Sequence, residues 1–514
     1  MFSFKFSDKF SFFLVLISSL IFRVTNINLI EFKGDEATNL FLASRPIFGH
    51  AFPPGGTVSS VGILNPPIFN YILFPLTIFS LDPKILSLLI GIVNSITIAF
   101  FFLILKHYYS KTIALISTLL LAFSPWSIIY SRKIWPQDFI LLLVVLIFFS
   151  LHKILIDKNS KYWLVLTACL LFLIQLHQSG LFLAPLIFLF LLLQKAKINF
   201  KFIIIGLAIG LLPFLPYISY EFSTNCPDCS TLIAAREKTG RSTLSFFRPF
   251  QIMNQGDFRF LLFDDINDFA KKFPLAYELR KVFYVEYILL PIGLLLFWLK
   301  NKKMRGLVYI TVLLPVLYFA AGVVPHMHYS IILTPFLFLF VSFPLSYFIS
   351  SQNKTIKIAS IAIFLILVLN SIIFNSSFFQ FLKDKKGLRG DYGPIFSVTE
   401  NKSKDLLKGY EKDPYYNEML LTSYLPRDQF YGNTPLGKII YPRKETQRNL
   451  PLLEKRLAVV PVDSRVVNEL ISYYSFDKPT KITIQELEKK SERLKGYKTV
   501  LEEINKIYLE EGVK

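Results

Sequence analysis

The chain has 514 residues, 53% of them hydrophobic, and its mean hydropathy of +0.48 excludes an ordinary soluble globular protein of this size. Its net charge of +20 could indicate a nucleic-acid partner or a membrane topology, depending on where the basic residues lie. They form short clusters between apolar runs, which indicates membrane topology and no nucleic-acid partner.

About eleven apolar runs are long enough to cross a bilayer, since a spanning helix needs roughly 20 residues. They begin near Phe10, Lys84, Thr112, Pro136, Tyr162, Gly180, Phe202, Val282, Leu307, Ile331 and Ile358. The first run lacks a small-residue cleavage site and is followed by further runs, so it is interpreted as a retained helix. The sequence therefore predicts an α-helical, multi-pass protein of the cell membrane.

Basic clusters follow alternate apolar runs. They occupy residues 106–111, 153–161, 195–201, 300–305 and 354–357. With the N-terminus in the cytoplasm, the positive-inside rule places all of them on the cytoplasmic side. The outer face then receives residues 28–81, the turn 126–137, the His177 region, residues 221–281 and the turn 323–329. An odd number of spans also places the C-terminal region outside.

The first outer segment carries two adjacent carboxylates, Asp35 and Glu36, at the start of a predicted interfacial helix over 37–47. A carboxylate there could take a proton from an acceptor. Equally, acids at the start of a helix cap it and interact favourably with its dipole. The local pattern leaves both interpretations open. In the same segment, Asn65 precedes two prolines that start a second predicted interfacial helix over 67–79.

The turn after the third run contains Arg132 and Lys133, and Asp138 begins the next run. Two cations at the outer mouth can bind phosphate oxygens, with Arg offering a planar fork and Lys a point charge. Long cationic side chains can also snorkel to the interface. The outer placement, against the bias of the other clusters, favours a function for this pair. Arg23, near the outer end of the first run, is expected to snorkel.

Three histidines lie in outer turns. His177 follows the fifth run, and His326 and His328 flank Met327. They could donate hydrogen bonds to phosphate or bind a divalent metal, although an H-x-H pair alone does not define a ligand set. Cys226 and Cys229 form a CxxC in the large outer loop, which predicts a local disulfide or inert thiols because no second ligand pair lies nearby.

The organisation predicted from these patterns is a membrane domain over residues 1–375, with outer loops 28–81 and 221–281, followed by a region over 376–514. That region alternates strand-like pieces, 419–424 and 457–462, with helical pieces. The sequence therefore predicts a small extracytoplasmic α/β domain at the C-terminal end.

Taken in order, the outer motifs resemble the GT-C membrane glycosyltransferases of glycosyltransferase family 39, which includes protein O-mannosyltransferases and the lipid A aminoarabinose transferase. The matching pieces are Gly34-Asp35-Glu36-Ala37, Asn65-Pro66-Pro67-Ile68, Ser124-Pro125 with Tyr130-Ser131-Arg132, and the stretch from His328-Tyr329 to Pro335. Two positions depart from the family pattern. Asn65 replaces the usual His, and His328 stands where Arg is common.

The resemblance implies an inverting transferase that moves a sugar from a polyprenyl-phosphate donor to a protein, lipid or glycan acceptor on the outer face. It implies Asp35 as the base and Glu36 as its neighbour. The implied phosphate-binding residues are Arg132, Lys133, His328 and His326, and the remaining site residues are Asn65, Asp138, His177 and Tyr329. No cofactor is required by this interpretation, although a divalent metal stays open.

Two other functions fit a basic, polytopic chain. A transporter or flippase of lipid-linked saccharides would need polar residues at the bilayer midplane or broken helices in corresponding halves. No repeat is visible, and most charges lie at the ends of runs. A polymerase or ligase that uses a lipid pyrophosphate donor is poorly separated from the transferase by sequence.

Overall fold

The computed structural model describes residues 7–49, 51–57, 59, 63–224, 226, 228–229, 242–253, 258–406, 408–409, 411–412 and 416–425. The described part of the chain is helical, and its extended pairing is limited to the isolated bridges Glu31–Ile395 and Gly387–Pro394. It divides into two compact units. Unit 1 comprises Met1–Glu31 and Leu42–Ile395, and unit 2 comprises Phe32–Phe41 and Phe396–Lys514.

Long helices of the described chain begin close to the predicted positions. They are α1 Asp8–Val24, α2 Gly34–Ser44, α3 Ile68–Phe79, α4 Pro83–Tyr108, α5 Lys111–Phe123, α6 Ile140–Leu155, α7 Tyr162–Leu176, α8 Gly180–Leu193, α9 Phe200–Leu211, α10 Tyr284–Lys300, α11 Gly306–Ala320, α12 Thr334–Ile349, α13 Lys354–Lys385, α14 Phe396–Leu406 and α15 Tyr416–Ser423. Shorter helices are Pro125–Ile129, Leu215–Ser223, Leu244–Phe247, Arg259–Leu262, Ile266–Lys272 and Pro274–Leu279.

Helical segments long and apolar enough to cross a membrane number seven among the described residues. They are Pro83–Tyr108, Pro136–Leu155, Phe200–Ser223, Pro274–Lys300, Lys302–Ala320, Met327–Ile349 and Lys354–Lys385. Helices α3, α5, α7 and α8 are apolar but shorter. The predicted α-helical polytopic membrane fold is therefore confirmed, and the total of eleven spans stays a prediction. The two helices expected within residues 28–81 are present as α2 and α3.

The basic turns of unit 1 meet at one end of its helices, as their alternation predicts. Lys106 and Lys111, which flank the turn between α4 and α5, both pair with Asp8 at the start of α1. The next basic turn joins them, because the Tyr108 hydroxyl donates to Asp157 over 2.8 Å. Since successive antiparallel helices return the chain to the same side, the turns that alternate with the basic turns lie at the opposite end.

Close helix packing inside unit 1 depends on glycine at several contacts, of which Gly91 and Gly206 are examples. A Cβ on Gly91 in α4 would lie 3.0 Å from the carbonyl oxygen of Arg23, and one on Gly206 in α9 would lie 1.9 Å from Thr167 Oγ1. Small residues let helix backbones approach in membrane proteins, where dispersion and polar contacts replace the hydrophobic drive between helices. A larger side chain at either position would push the helices apart.

The expectation that Arg23 snorkels is wrong. Its side chain is fully buried, and Nη1 donates to the carbonyls of Ser19 and Ala122, each over 2.9 Å, while Nη2 donates to Ser127 Oγ over 2.8 Å. The carbonyl of Ala122 lies in the last turn of α5, where helix N–H groups run out. Arg23 therefore joins α1 to the end of α5 instead of reaching the interface.

Unit 2 has a small aromatic core in its described part. Phe32 packs edge-to-face against Phe396 at 5.0 Å and Tyr424 at 5.4 Å between ring centroids, and Thr399 Oγ1 donates to the Phe32 carbonyl over 3.1 Å. The strand predicted over 419–424 is wrong, because α15 covers most of it. A short apolar run does not distinguish a strand from a helix by periodicity. The piece 457–462, with most of the predicted α/β domain, lies outside the described residues.

Replacement of Arg23 by Met should destabilise the protein by about 2 kcal/mol, because it removes charge-assisted hydrogen bonds and leaves buried acceptors without a donor. Thermal unfolding in detergent measures the effect as a lower transition temperature. The matched control is Lys9→Met, which changes an exposed cation on the same helix and should leave the transition in place. Equal transition temperatures for the two variants would contradict the assigned role.

Candidate functional site

Polar turns of unit 1 meet at the end of the helices opposite the basic turns. The segment after α1, the turn 130–138, the turn between α7 and α8, the turn before α12 and the segment after α13 all contribute. We call this set the outer cluster, after its predicted side. The large loop reaches it as well, because Ser245 Oγ donates to the Val323 carbonyl over 2.8 Å. The predicted topology therefore brings most of the candidate residues to one place.

Arg132 is buried and binds backbone carbonyls at the end of α1. Its Nη1 donates to Phe22 and, over 2.7 Å, to Thr25, and its Nη2 donates to Asn26 over 2.7 Å. The Phe22 and Thr25 carbonyls lie at the end of α1, where helical donors run out, whereas the Asn26 carbonyl also accepts the N–H of Leu29 over 2.9 Å. A cation at a helix C-terminus is also stabilised by the helix dipole. Burial lowers the pKa of Arg132 to about 10, so the guanidinium stays charged at neutral pH. The structure thus assigns Arg132 a capping role.

Lys133 forms a buried ion pair with Glu31, a residue that the sequence patterns did not single out. The ammonium also lies 5.0 Å from the ring centroid of Trp135 and 5.7 Å from that of Tyr130. Glu31 Oε1 accepts the N–H of Gly393 over 2.8 Å. The sequence feature that could have identified Glu31 is an acidic residue next to an apolar run. Such a carboxylate is rarely buried without a cationic partner.

His328 lies at the centre of the ring contacts in the outer cluster. Its ring centroid is 4.8 Å from Trp135, 5.3 Å from His177 and 5.7 Å from His326, which stacks parallel to it. Tyr329 lies 4.5 Å from His177. The structure therefore brings together Lys133, the three histidines and Tyr329, as the sequence-based grouping expected.

His177 is held in one tautomer by the turn that follows it. Its Nδ1 accepts the backbone N–H of Ser179 over 3.1 Å and lies 2.7 Å from the Ser179 hydroxyl. A backbone amide only donates, so Nδ1 carries no proton and the neutral ring has its N–H at Nε2. Burial lowers the pKa of His177 to about 3. The ring is therefore a neutral hydrogen-bond donor at physiological pH.

Two other predicted site residues have structural contacts of their own. Asn65 closes a local loop, because its side-chain amide donates to the Thr57 carbonyl over 2.8 Å and its own carbonyl accepts from Gly56 over 2.6 Å. Asp138 is buried before α6, and its backbone carbonyl accepts from the Asn94 amide over 3.0 Å. These contacts position the two segments that carry Asn65 and Asp138. A direct role of either residue in the site stays a prediction.

Asp35 and Glu36 lie in unit 2, in the first turn of α2. Glu36 is buried, and its Oε2 accepts the backbone N–H of Lys33 over 3.1 Å, so it caps the helix. Asp35 is half-buried. The structure thus distinguishes the two acids, with a capping contact assigned to Glu36.

The candidate metal ligands do not form a metal site in the described part of the chain. No group of three or more His, Cys, Asp or Glu side chains there is placed to hold a metal ion. Among the three clustered histidines, Nδ1 of His177 already accepts from Ser179. Cys226 and Cys229 form a disulfide with each other, which agrees with one of the two states expected for the CxxC.

Comparison with known protein families supports the resemblance found in the sequence. Residues 65–220 match the family described as dolichyl-phosphate-mannose-protein mannosyltransferase. The matched stretch is less than a third of the chain and includes Asn65, Lys133 and His177. The predicted resemblance to this group of membrane glycosyltransferases is confirmed over these residues. A comparison with curated proteins returns no match.

Solved structures with a similar fold include an oligosaccharyltransferase and ArnT. The oligosaccharyltransferase of Archaeoglobus fulgidus, solved with Zn and sulfate, is 14% identical with a TM-score of 0.49, over 80% of this chain and 57% of its own. ArnT of Cupriavidus metallidurans, bound to undecaprenyl phosphate, is 10% identical with a TM-score of 0.47, over 84% of this chain and 81% of its own. The present chain thus spans little more than half of the oligosaccharyltransferase.

The tautomer and burial of His177 predict a pH-dependent stability. The unfolded residue takes up a proton below about pH 6.5, whereas the folded one stays neutral down to about pH 3. The unfolded state therefore binds more protons in this window, and the free energy of unfolding falls as the pH falls. At pH 5 the loss from this residue is about 2 kcal/mol.

Unfolding transitions of wild type and His177→Gln between pH 7.5 and 4.5 measure this effect. The variant should show a shallower fall than wild type over this range. Parallel curves for wild type and His177→Gln would rule out a buried neutral ring.

Proposed function

We propose that this chain is a membrane glycosyltransferase that moves a sugar from a polyprenyl-phosphate donor to an acceptor on the outer face, with inversion at the anomeric carbon. The observation that carries the proposal is the family match over residues 65–220, which includes the turn of Lys133 and the turn of His177. Both residues belong to the outer cluster. The acceptor class is a protein, a lipid or a cell-surface glycan.

The reaction needs two kinds of group. A base takes the proton of the acceptor hydroxyl as it attacks the anomeric carbon, and hydrogen-bond donors or cations stabilise the charge that develops on the departing lipid phosphate. Asp35 is the proposed base, because it occupies the acidic position of the family motif after the first span. The capping contact of Glu36 supports a positioning role for that residue: it fixes the first turn of α2, which carries Asp35.

The outer cluster supplies groups suited to the phosphate. Lys133 offers a charged donor held beside two aromatic rings, and His177 offers a neutral N–H at Nε2. His328 lies between them, in contact with Trp135 and His177. In a site shielded from water, the electrostatic interaction between a cation and an anion is stronger than at an exposed surface. We assign the phosphate contacts to Lys133, His328 and His177, with His326 and Tyr329 at the edge.

Arg132 supports the site indirectly in this proposal. Its guanidinium already holds three carbonyls at the end of α1, and its backbone carbonyl accepts the hydroxyl of Ser87. These contacts anchor the turn that carries Lys133. A change at Arg132 should therefore reduce stability as well as donor binding.

Replacement of Asp35 by Asn should lower sugar transfer by about 10²-fold or more, since loss of a positioned base removes general base catalysis. The measurement is transfer from a radiolabelled polyprenyl-phosphate sugar in membranes that contain equal amounts of each variant. The matched control is Glu278→Gln, which removes an exposed carboxylate paired with Lys281 and should keep wild-type transfer. Equal transfer by wild type and Asp35→Asn would contradict the assignment of Asp35 as the base.

Donor choice separates this proposal from the two alternatives. Reconstituted vesicles should consume a polyprenyl-monophosphate sugar and release the lipid phosphate only when an acceptor is present, because transfer couples the two events. Movement of the intact lipid across the bilayer without cleavage would indicate a flippase. Consumption of a lipid pyrophosphate saccharide in its place would indicate a ligase or polymerase.

A further inference from the structure

Both side chains of the ion pair between Lys133 and Glu31 are buried. The Lys133 side chain is 4% exposed and that of Glu31 is not exposed at all. A buried charge is stable only with a close partner of opposite sign or several hydrogen bonds. The carboxylate is therefore a permanent part of the surroundings of this cation.

Backbone contacts hold Glu31 in place independently of the lysine. Its Oε1 accepts the N–H of Gly393 over 2.8 Å, and its backbone forms a bridge with Ile395. Next to this bridge, the Tyr392 hydroxyl donates to the Leu29 carbonyl over 2.5 Å. A carboxylate held by two segments of the chain cannot swing away when an anion approaches Lys133.

The proposed substrate and product carry different charges. The donor is a phosphodiester with one negative charge. Transfer breaks the bond between the anomeric carbon and the phosphate oxygen, and the bonding electrons stay on the phosphate. The product is a phosphomonoester with a charge of about −1.5 to −2 at pH 7. Since Coulomb energy scales with the product of the charges, a fixed carboxylate repels the product more strongly than the donor.

We propose that Glu31 sets the charge preference of the phosphate site at Lys133. It favours the singly charged phosphodiester donor over the doubly charged phosphomonoester and so promotes release of the spent lipid phosphate. Glu31 acts by its charge from a fixed position beside Lys133 and takes no part in bond breaking. This inference rests on the proposed function, because it assumes that a lipid phosphate binds at Lys133.

The test uses two soluble probes, farnesyl phosphate as the monoester and methyl farnesyl phosphate as the diester. Binding of each to the purified full chain in detergent is measured by titration calorimetry for wild type and Glu31→Gln. The glutamine keeps an oxygen that can accept the N–H of Gly393, so the local bridge can persist. The matched control is Glu221→Gln, another buried glutamate that accepts a backbone N–H, from Asp228 over 3.2 Å.

Glu31→Gln should strengthen monoester binding about tenfold more than diester binding, because it removes one fixed negative charge. Inhibition of transfer by added monoester should rise in parallel, and Glu221→Gln should change neither ratio. The wild type gives an independent check that needs no variant to fold. A lysine without a counter-ion would bind the doubly charged monoester more tightly than the diester. Because Glu31 opposes this preference, wild type should bind the diester at least as tightly as the monoester.

Three results would overturn the inference. The first is tighter binding of the monoester than of the diester by wild type. The second is an equal change in the affinity for both probes in Glu31→Gln, and the third is weaker binding of both probes by that variant. The last result would mean that Glu31 only supports the fold. Failure of wild type to bind either probe, together with absence of transfer, would instead reject the proposed function and remove the basis of the inference.

Discussion

The end of α1 is the constraint on which the outer cluster depends. Its last carbonyls have no helical donors, and in a membrane protein a bare backbone acceptor is costly. Arg132 satisfies two of them, those of Phe22 and Thr25, and also donates to the Asn26 carbonyl just beyond the helix, because its planar fork suits acceptors that diverge from a helix end. Because Lys133 follows Arg132 directly, anchoring the first residue also brings the second to Glu31, which lies in the segment after α1.

The adjacent cations Arg132 and Lys133 therefore have different roles, although they are neighbours in the sequence. Arg132 binds neutral carbonyls and helps the fold, whereas Lys133 faces a carboxylate and two aromatic rings. A lysine paired with a fixed carboxylate keeps further N–H groups with which it can bind a phosphate. A guanidinium held on three carbonyls could bind phosphate only by uncapping α1. This difference is why the proposed donor contacts centre on Lys133 and the neighbouring imidazoles.

Hydropathy predicted the helical membrane fold well, because spanning helices must be apolar whatever they pack against. It failed where a side chain has a specific partner. Arg23 was expected at the interface and is buried, since the carbonyl of Ala122 and the hydroxyl of Ser127 come from distant parts of the chain. Residues 419–424 were expected as a strand and fall mostly in α15, because six residues are too few to show a period. Glu31 was overlooked, because its cation lies about a hundred positions away.

The sequence by itself determined the class of protein, the alternation of its turns and several of the polar residues that meet at one end of unit 1. Those features follow from local composition and from the rule that consecutive spans reverse direction. Only the tertiary structure decided that Arg132 caps a helix, that Lys133 pairs with Glu31 and that His177 carries its proton on Nε2. Each of these depends on a hydrogen-bond or ion-pair partner within a few ångströms, and local pattern does not identify that partner.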